Sequence, residues 1–122
     1  MEKPEKSLFV QVLGDTPLIR LMDFFIQNSI FDYTKTEIAE NSGISRASLY
    51  KIWSMLEKYA FIKESRKIGN TTLYKLNKVN PVVQKLIELD LNISKEYADS
   101  LVEKSVVVAK SSSASSYKKL PL

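Results

Sequence analysis

The sequence predicts a mainly α-helical protein that carries one small β-hairpin and ends in a C-terminal helix. Three observations favour this fold class. Apolar residues recur at helical spacing in several segments that begin with a capping residue. Two short β-prone runs flank a Gly-Asn turn at residues 69–70. Asn80-Pro81 then opens one more apolar stripe at helical spacing. At 122 residues, the chain has the size of one ordinary domain.

The N-terminal region holds a short apolar run before the first predicted helix. Residues 1–13 are expected to form an arm packed on the body or a short strand, because Leu8–Leu13 is apolar and partly β-branched. Thr16 and Pro17 suit an N-cap and a first helical position, where proline sacrifices no helical hydrogen bond. The apolar residues that follow predict a helix to about Asn28.

Residues 34–58 carry the pattern of two helices joined by a tight turn. Thr34 and Glu37 have the spacing of a capping box, and Gly43 suits a turn that needs positive φ. Ser45 suits the cap of the second helix, residues 46–58. The apolar face of that helix comprises Leu49, Ile52, Trp53 and Leu56. Because Trp53 lies on this face, we expect it in the core rather than on a base-stacking surface. The pattern predicts a helix-turn-helix, whose second helix enters the major groove of DNA.

The basic residues are concentrated in the middle of the chain. Residues 34–78 contain nine basic and four acidic residues, whereas the whole chain contains 18 and 14. Such a local excess of positive charge suits a polyanionic partner, because the attraction to phosphates is local. Chance clustering on a solvated face remains the alternative interpretation of the charge alone.

The composition argues against several classes of function. The chain has no cysteine and no histidine, so disulfides and the usual zinc ligands are lacking. The same absence removes Ser–His and Cys–His nucleophiles, and three glycines leave no Gly-rich phosphate loop. We therefore expect no enzyme activity and no cofactor. No apolar run is long enough to span a bilayer, and residues 1–8 lack the apolar stretch of a signal peptide. No membrane partner and a cytoplasmic location are expected.

In order and spacing, these elements resemble winged helix-turn-helix DNA-binding proteins, particularly small archaeal-type transcriptional regulators. The resemblance covers about residues 16–91. It rests on the segments TKTEIAENSG, ISRASLYKIWSMLEKYAFI, IKESRKIGNTTLYKLN and NPVVQKLIEL. It implies a winged helix-turn-helix domain over residues 14–79 and sequence-specific binding of double-stranded DNA by a homodimeric regulator, a repressor. Helix 46–58 would enter the major groove, and the wing, residues 62–76, would contact the backbone or the minor groove.

The resemblance also implies which side chains contact DNA. The contacts implied for the recognition helix are Ser45, Arg46, Ser48, Tyr50 and Lys51. Those implied for the wing are Arg66, Lys67, Asn70 and Lys75. Arginine and lysine can bind guanine edges or phosphates, and serine can bind either.

Residues 80–109 are expected to form a closing helical segment, continuous or interrupted near residues 92–94. Its apolar stripe comprises Val82, Leu86, Leu89, Ile93, Tyr97 and Leu101. The stripe either caps the monomer or pairs with a second copy. The homodimer is favoured, because a monomer of this size would not need so long an apolar face. Residues 110–122 are rich in serine and lysine and are expected to form a disordered basic tail.

One alternative function remains open after this resemblance. A winged-helix module could bind protein, or support DNA partition or replication, without regulating a promoter. Basic residues on both the recognition helix and the wing favour the DNA-binding regulator, because an adaptor would not need them. The sequence specifies neither an operator nor a small-molecule effector.

Overall fold

The computed structural model describes residues 6–106, and it describes side chains to residue 98. The elements are α1 (Leu8–Leu13), α2 (Pro17–Gln27), α3 (Lys35–Ser42), α4 (Arg46–Lys58), β1 (Ile62–Ile68), β2 (Thr71–Leu76) and α5 (Pro81–Val106). This order confirms the mainly α class with one hairpin. The basic tail predicted at residues 110–122 lies outside the described residues.

The N-terminal apolar run is a helix, so the short strand, one of the two alternatives considered for it, is not formed. The Ser7 hydroxyl caps α1 by accepting from the Val10 amide at 3.2 Å. Phe9 and Val10 are buried, because α1 packs against α5 and α2. The alternative of an arm packed on the body agrees with this burial. A six-residue apolar run is too short for its periodicity to distinguish a helix from a strand.

The caps predicted for α2, α3 and α4 are all present. Thr16 and Ser45 each accept a backbone amide three residues ahead. Thr34 accepts from the Glu37 amide at 3.1 Å, and Glu37 accepts from the Thr34 amide at 2.9 Å. Gly43 ends α3 with φ 74°, in the left-handed region that favours glycine. The turn between α3 and α4 is therefore encoded by local residues.

One hydrophobic core joins the helices to the hairpin. Its largest fully buried side chains are Phe9, Phe25, Leu21, Ile38, Leu49, Leu56, Leu76 and Val83. Trp53 belongs to the same core with 5% of its surface exposed, which confirms the predicted core position. Ser42 is also buried, and its hydroxyl donates to the Ile38 carbonyl. That hydrogen bond lets a serine occupy a position where an apolar residue is more usual.

The hairpin is antiparallel and is joined to the helices by a third segment. Gly69 has φ 61° at the first position of the two-residue turn between Ile68 and Thr71. The segment between α2 and α3 pairs with β2, because Tyr33 and Tyr74 exchange two backbone hydrogen bonds of 2.8 Å. The hairpin is thereby attached to the residue just before Thr34, which caps α3.

The corner between α4 and β1 is closed by two asparagines that follow β2. Ala60 has φ 59°, a left-handed conformation that alanine rarely adopts. The Asn77 side chain donates to the Ala60 carbonyl at 2.9 Å, and the Asn77 amide donates to the Phe61 carbonyl at 2.9 Å. The Asn80 side chain donates to the Tyr59 carbonyl at 2.8 Å. The two ends of the hairpin are therefore joined directly at its base.

The closing helix is continuous, so the interruption considered near residues 92–94 is absent. Asn80 caps it by accepting from the Val82 amide at 2.7 Å. The helix packs along α1, and residues 94–97 beyond Ile93 are all exposed. Within the described part of the chain, no helix is both long enough and apolar enough to cross a membrane.

Candidate nucleic-acid interface

The first turn of α4 is organised by its own serines. The Ser45 hydroxyl accepts from the Ser48 amide at 3.0 Å and donates to the Ser48 hydroxyl at 3.0 Å. Ser45 is exposed and Ser48 is half-buried. Ser45 and Ser48, both predicted to contact DNA, thus also form the N-cap of α4. Their hydroxyl groups are therefore oriented before any partner binds.

The outer face of α4 carries the predicted basic and aromatic groups. Arg46, Tyr50 and Lys51 are exposed, and Tyr50 keeps 54% of its surface open. The Arg46 guanidinium donates to the Thr36 hydroxyl of α3 at 2.5 Å. The structure therefore brings these three residues together on one exposed face, where the side chain of Arg46 is held by the preceding helix.

Lys35 belongs to the same region, although the sequence analysis did not single it out. Its ammonium lies 4.8 Å from the centroid of the Trp53 ring and 5.8 Å from each of the Tyr50 and Tyr74 rings. The Trp53 and Tyr74 rings meet edge to face at 4.8 Å. A lysine is unfavourable at the first position of a helix, because its charge opposes the helix dipole. This unusual placement was the feature of the sequence that could have identified Lys35. A cation–aromatic cluster therefore joins α3, α4 and β2.

The wing presents its predicted side chains unequally. Lys67 and Asn70 are exposed near the turn, whereas Lys75 is half-buried. Lys75 lies directly opposite Lys63 across the two strands. Two like charges at such a position repel each other, which an anionic partner would relieve. Lys63, which is exposed, is therefore a further candidate contact.

Arg66 differs from the other predicted wing contacts because it has a partner in the chain. Its Nε donates to the Asp32 carboxylate at 2.8 Å. Asp32 lies in the segment between α2 and α3, so the pair connects the wing to the helix-turn-helix. The structure thus places Arg66 on the wing, as predicted, but in an ion pair.

The predicted dimer residues on α5 separate into buried and exposed groups. Ile93 is 4% exposed and packs in the core of its own chain, so it offers no surface to a second copy. Leu86 also packs partly against that core. Ile93 therefore belongs to the core of its own chain, whereas Leu86 is half-buried and its place at an interface stays a prediction. Val82, Leu89 and Tyr97 are exposed, and the side chain of Leu101 lies outside the described residues.

Comparison with known proteins gives matches among solved structures. No protein-family model matches the chain, and no curated protein sequence does. The chain is similar to the apo form of a ZitR mutant from Lactococcus lactis, with TM-score 0.56, 22% identity, and coverage of 83% of this chain and 82% of ZitR. Wild-type ZitR in complex with DNA gives TM-score 0.52 and 20% identity, covering 98% of this chain and 87% of that one.

Two further structures resemble the chain to a comparable degree. NadR in complex with 4-hydroxyphenylacetate gives TM-score 0.55 at 18% identity, covering 93% of this chain and 81% of NadR. The antimony-specific transcriptional repressor AntR gives TM-score 0.53 at 23% identity, covering 75% and 78%. At these identities the likeness establishes the fold, which is the winged-helix fold.

Proposed function

We propose that the chain is a sequence-specific double-stranded DNA-binding protein that regulates transcription, acting as a homodimeric repressor. The recognition helix α4 would enter the major groove, with the wing on the backbone or the minor groove. The observation that carries this proposal is the exposed face of α4, where Arg46, Tyr50 and Lys51 stand on a capped helix beside a basic hairpin.

Charge and similarity support the proposal. The excess of positive charge lies in residues 34–78, which contain the helix-turn-helix and the wing. AntR is described as a transcriptional repressor, and ZitR has been solved in complex with DNA. The archaeal-type character suggested by the sequence stays a prediction.

Exposed apolar side chains at two helices support a dimer. Leu89 and Tyr97 of α5 are exposed, as are Val12 and Leu13 of α1. Tyr97 lies one turn beyond Ile93 and is 48% exposed, because α5 continues past the body of its own chain. A second copy packed there would cover this surface and leave both α4 helices accessible to two half-sites.

A second candidate is a winged-helix module that binds protein, or serves DNA partition or replication, without promoter regulation. One observation favours it. Ile30 and Phe31 are adjacent, apolar and exposed in the segment before α3. Such a pair is suited to contact with another protein.

Selection of binding sites from random duplex DNA, at stated salt concentrations, tests the proposal. We expect a palindromic site whose half-sites lie about one DNA turn apart. The Arg46→Ala/Lys51→Ala variant, selected in parallel, should lose the consensus. Recovery of unrelated sequences by the intact chain, with equal affinity for all duplexes, would favour the second candidate instead.

A further inference from the structure

Two adjacent side chains of the wing bind one carboxylate outside the wing. The Ser65 hydroxyl donates to Asp32 Oδ2 at 2.7 Å, and Arg66 Nε donates to the same oxygen at 2.8 Å. Arg66 Nη2 donates to Asp32 Oδ1 at 3.3 Å. Both oxygens of Asp32 are therefore engaged, and its side chain is only 15% exposed although Arg66 is 60% exposed. We call these three residues the wing latch.

A β-bulge makes this arrangement possible. In a regular strand, neighbouring side chains point to opposite faces, so Ser65 and Arg66 could not reach the same group. Here Glu64 pairs with Tyr74 and Arg66 pairs with Leu73, which leaves Ser65 unpaired between them. The extra residue turns both side chains toward Asp32. The wing latch therefore depends on the bulge at Ser65.

The latch balances the charge of Arg66 within the chain. The Arg66 guanidinium, followed by the Ser65 hydroxyl, holds the pKa of the Asp32 carboxyl below its ordinary value. The same contact raises the pKa of Arg66. A DNA phosphate would have to displace a carboxylate that already receives two donors of this guanidinium. Lys67 differs, because it forms no ion pair with any residue between 6 and 98.

The latch also lies where the wing meets the helix-turn-helix. Tyr33, next to Asp32, pairs with Tyr74 of β2 through the backbone. Thr34, the following residue, caps α3. A change in the position of Asp32 would therefore move the wing relative to α3 and α4. Backbone pairing at Tyr74 and the latch at Ser65 and Arg66 thus hold neighbouring positions of the wing against the same segment.

We propose that Asp32 is a positioning residue for DNA binding, which acts through Ser65 and Arg66 to set the wing against α4. Arg66 then serves the geometry of the wing and does not bind a phosphate. This inference rests on the proposed function and changes the role predicted for Arg66. Lys67, with Lys63 and Lys75, remains available to the DNA backbone.

The first test measures the affinity for the selected duplex over a range of salt concentrations. Asp32→Asn and Arg66→Ala should each weaken binding about fivefold to tenfold, because the wing of the free protein is no longer pre-ordered and must be ordered on binding. The slope of log affinity against log salt should stay unchanged, since the wing lysines still reach the same phosphates in the complex. Arg66→Lys keeps the charge but cannot make both hydrogen bonds, so it should also weaken binding. The double variant Asp32→Asn/Arg66→Ala should bind no worse than either single variant.

The control is Lys67→Ala, which removes a neighbouring wing charge and leaves the latch intact. It should reduce the salt slope by about one. Tighter binding by Asp32→Asn with a steeper salt slope would overturn the inference, because it would show that Asp32 competes with DNA for Arg66. A reduced slope in Arg66→Ala would overturn it as well.

A second measurement uses the free protein. Amide hydrogen exchange over residues 65–73 should accelerate in Asp32→Asn, while exchange in α4 and the thermal midpoint stay close to those of the intact chain. Unchanged exchange in the wing would overturn the latch. Failure of the intact chain to bind any duplex would overturn the proposed function and the role of the latch in DNA binding, whereas the exchange result decides the latch itself.

Discussion

The Lys35 ammonium lies 4.8 Å from the centroid of the Trp53 ring, over the point where α3, α4 and β2 meet. The same ammonium lies 5.8 Å from the centroid of each of the Tyr50 and Tyr74 rings. The faces of aromatic rings carry negative charge density, which offsets the unfavourable position of a cation at the start of a helix. Trp53 is the only tryptophan of the chain, so its fluorescence reports on this junction.

The first prediction removes the charge at this junction. Lys35→Met keeps an apolar stem and should shift the emission of Trp53, with a loss of about 0.5–2 kcal/mol in the free energy of unfolding. Urea denaturation followed by fluorescence measures both. Lys58→Met is the control, because Lys58 lies 5.3 Å from the exposed Tyr59 ring and should leave Trp53 emission unaltered. Identical emission in all three proteins would contradict the cluster.

The second prediction concerns the outer face of α4. Arg46→Ala and Lys51→Ala should each weaken binding to the selected duplex, by about 1–3 kcal/mol where the side chain contacts a base. Both residues are exposed, so the thermal midpoint should change little. Fluorescence anisotropy of labelled duplex measures the affinity. Lys95→Ala, an equal charge change on the exposed surface of α5, should bind like the intact chain. Unchanged titrations for both α4 variants would exclude this face as the surface that recognises the DNA sequence.

The local elements of this region could be predicted from sequence, whereas its long-range contacts could not. The caps at Thr34 and Ser45 and the turn at Gly43 depend on residues within four positions. The Asp32–Arg66 pair joins residues 34 positions apart, and the bulge at Ser65 leaves no periodic signal. Leu8–Leu13 shows the same limit, because this short run has no clear periodicity and its helix packs on α5, which is distant in sequence.

The third prediction concerns assembly. Tyr97→Glu should convert the proposed dimer to a monomer and weaken binding to the full palindrome, because a carboxylate would be buried at the interface. Leu91→Glu is the matched control, since it places the same charge on an exposed apolar residue about 120° around the helix from Tyr97 and about 160° from Leu89. Light scattering at tens of micromolar measures the mass. Monomers of the intact chain that bind one half-site at full affinity would rule out the dimer. Truncation at Asn92 is unsuitable, because it also removes the core residue Ile93.

The fourth prediction is a dependence of stability on pH. Hydrogen bonds from Arg20, and then from Lys6, lower the pKa of the Asp15 carboxyl from 3.8 to about 2. A depressed pKa in the folded state stabilises the fold fully above the unfolded value, and this contribution is lost as pH falls from about 3.8 to about 2. Urea denaturation between pH 5 and pH 2 should show this fall. Asp15→Asn should reduce this fall, leaving the part that Asp32 contributes, whereas an equal fall in that variant would contradict the assignment.

The fifth prediction concerns the corner between α4 and β1. Ala60 is exposed and has φ 59°, so Ala60→Gly relieves a left-handed strain of about 1–2 kcal/mol without removing buried surface. The greater freedom of glycine in the unfolded chain offsets about 0.5–1 kcal/mol, which leaves a small gain in stability. The same substitution at Ala47, exposed on α4, should reduce stability by about 0.5–1 kcal/mol. Thermal denaturation compares them, and two changes of the same sign would contradict the explanation.

The hydrogen bonds that close the base of the hairpin separate the outer part of the wing from the helical body. Asn77 binds the Ala60 and Phe61 carbonyls, and Asn80 binds the Tyr59 carbonyl, so the chain leaves and re-enters the body at one point. Residues inserted at the tip, between Ile68 and Thr71, would leave these contacts and the bulge intact. Doubling a loop costs only about 0.6 kcal/mol in closure entropy. The wing can therefore change in length, and in its reach toward the proposed DNA partner, while the contacts of the helical body stay the same.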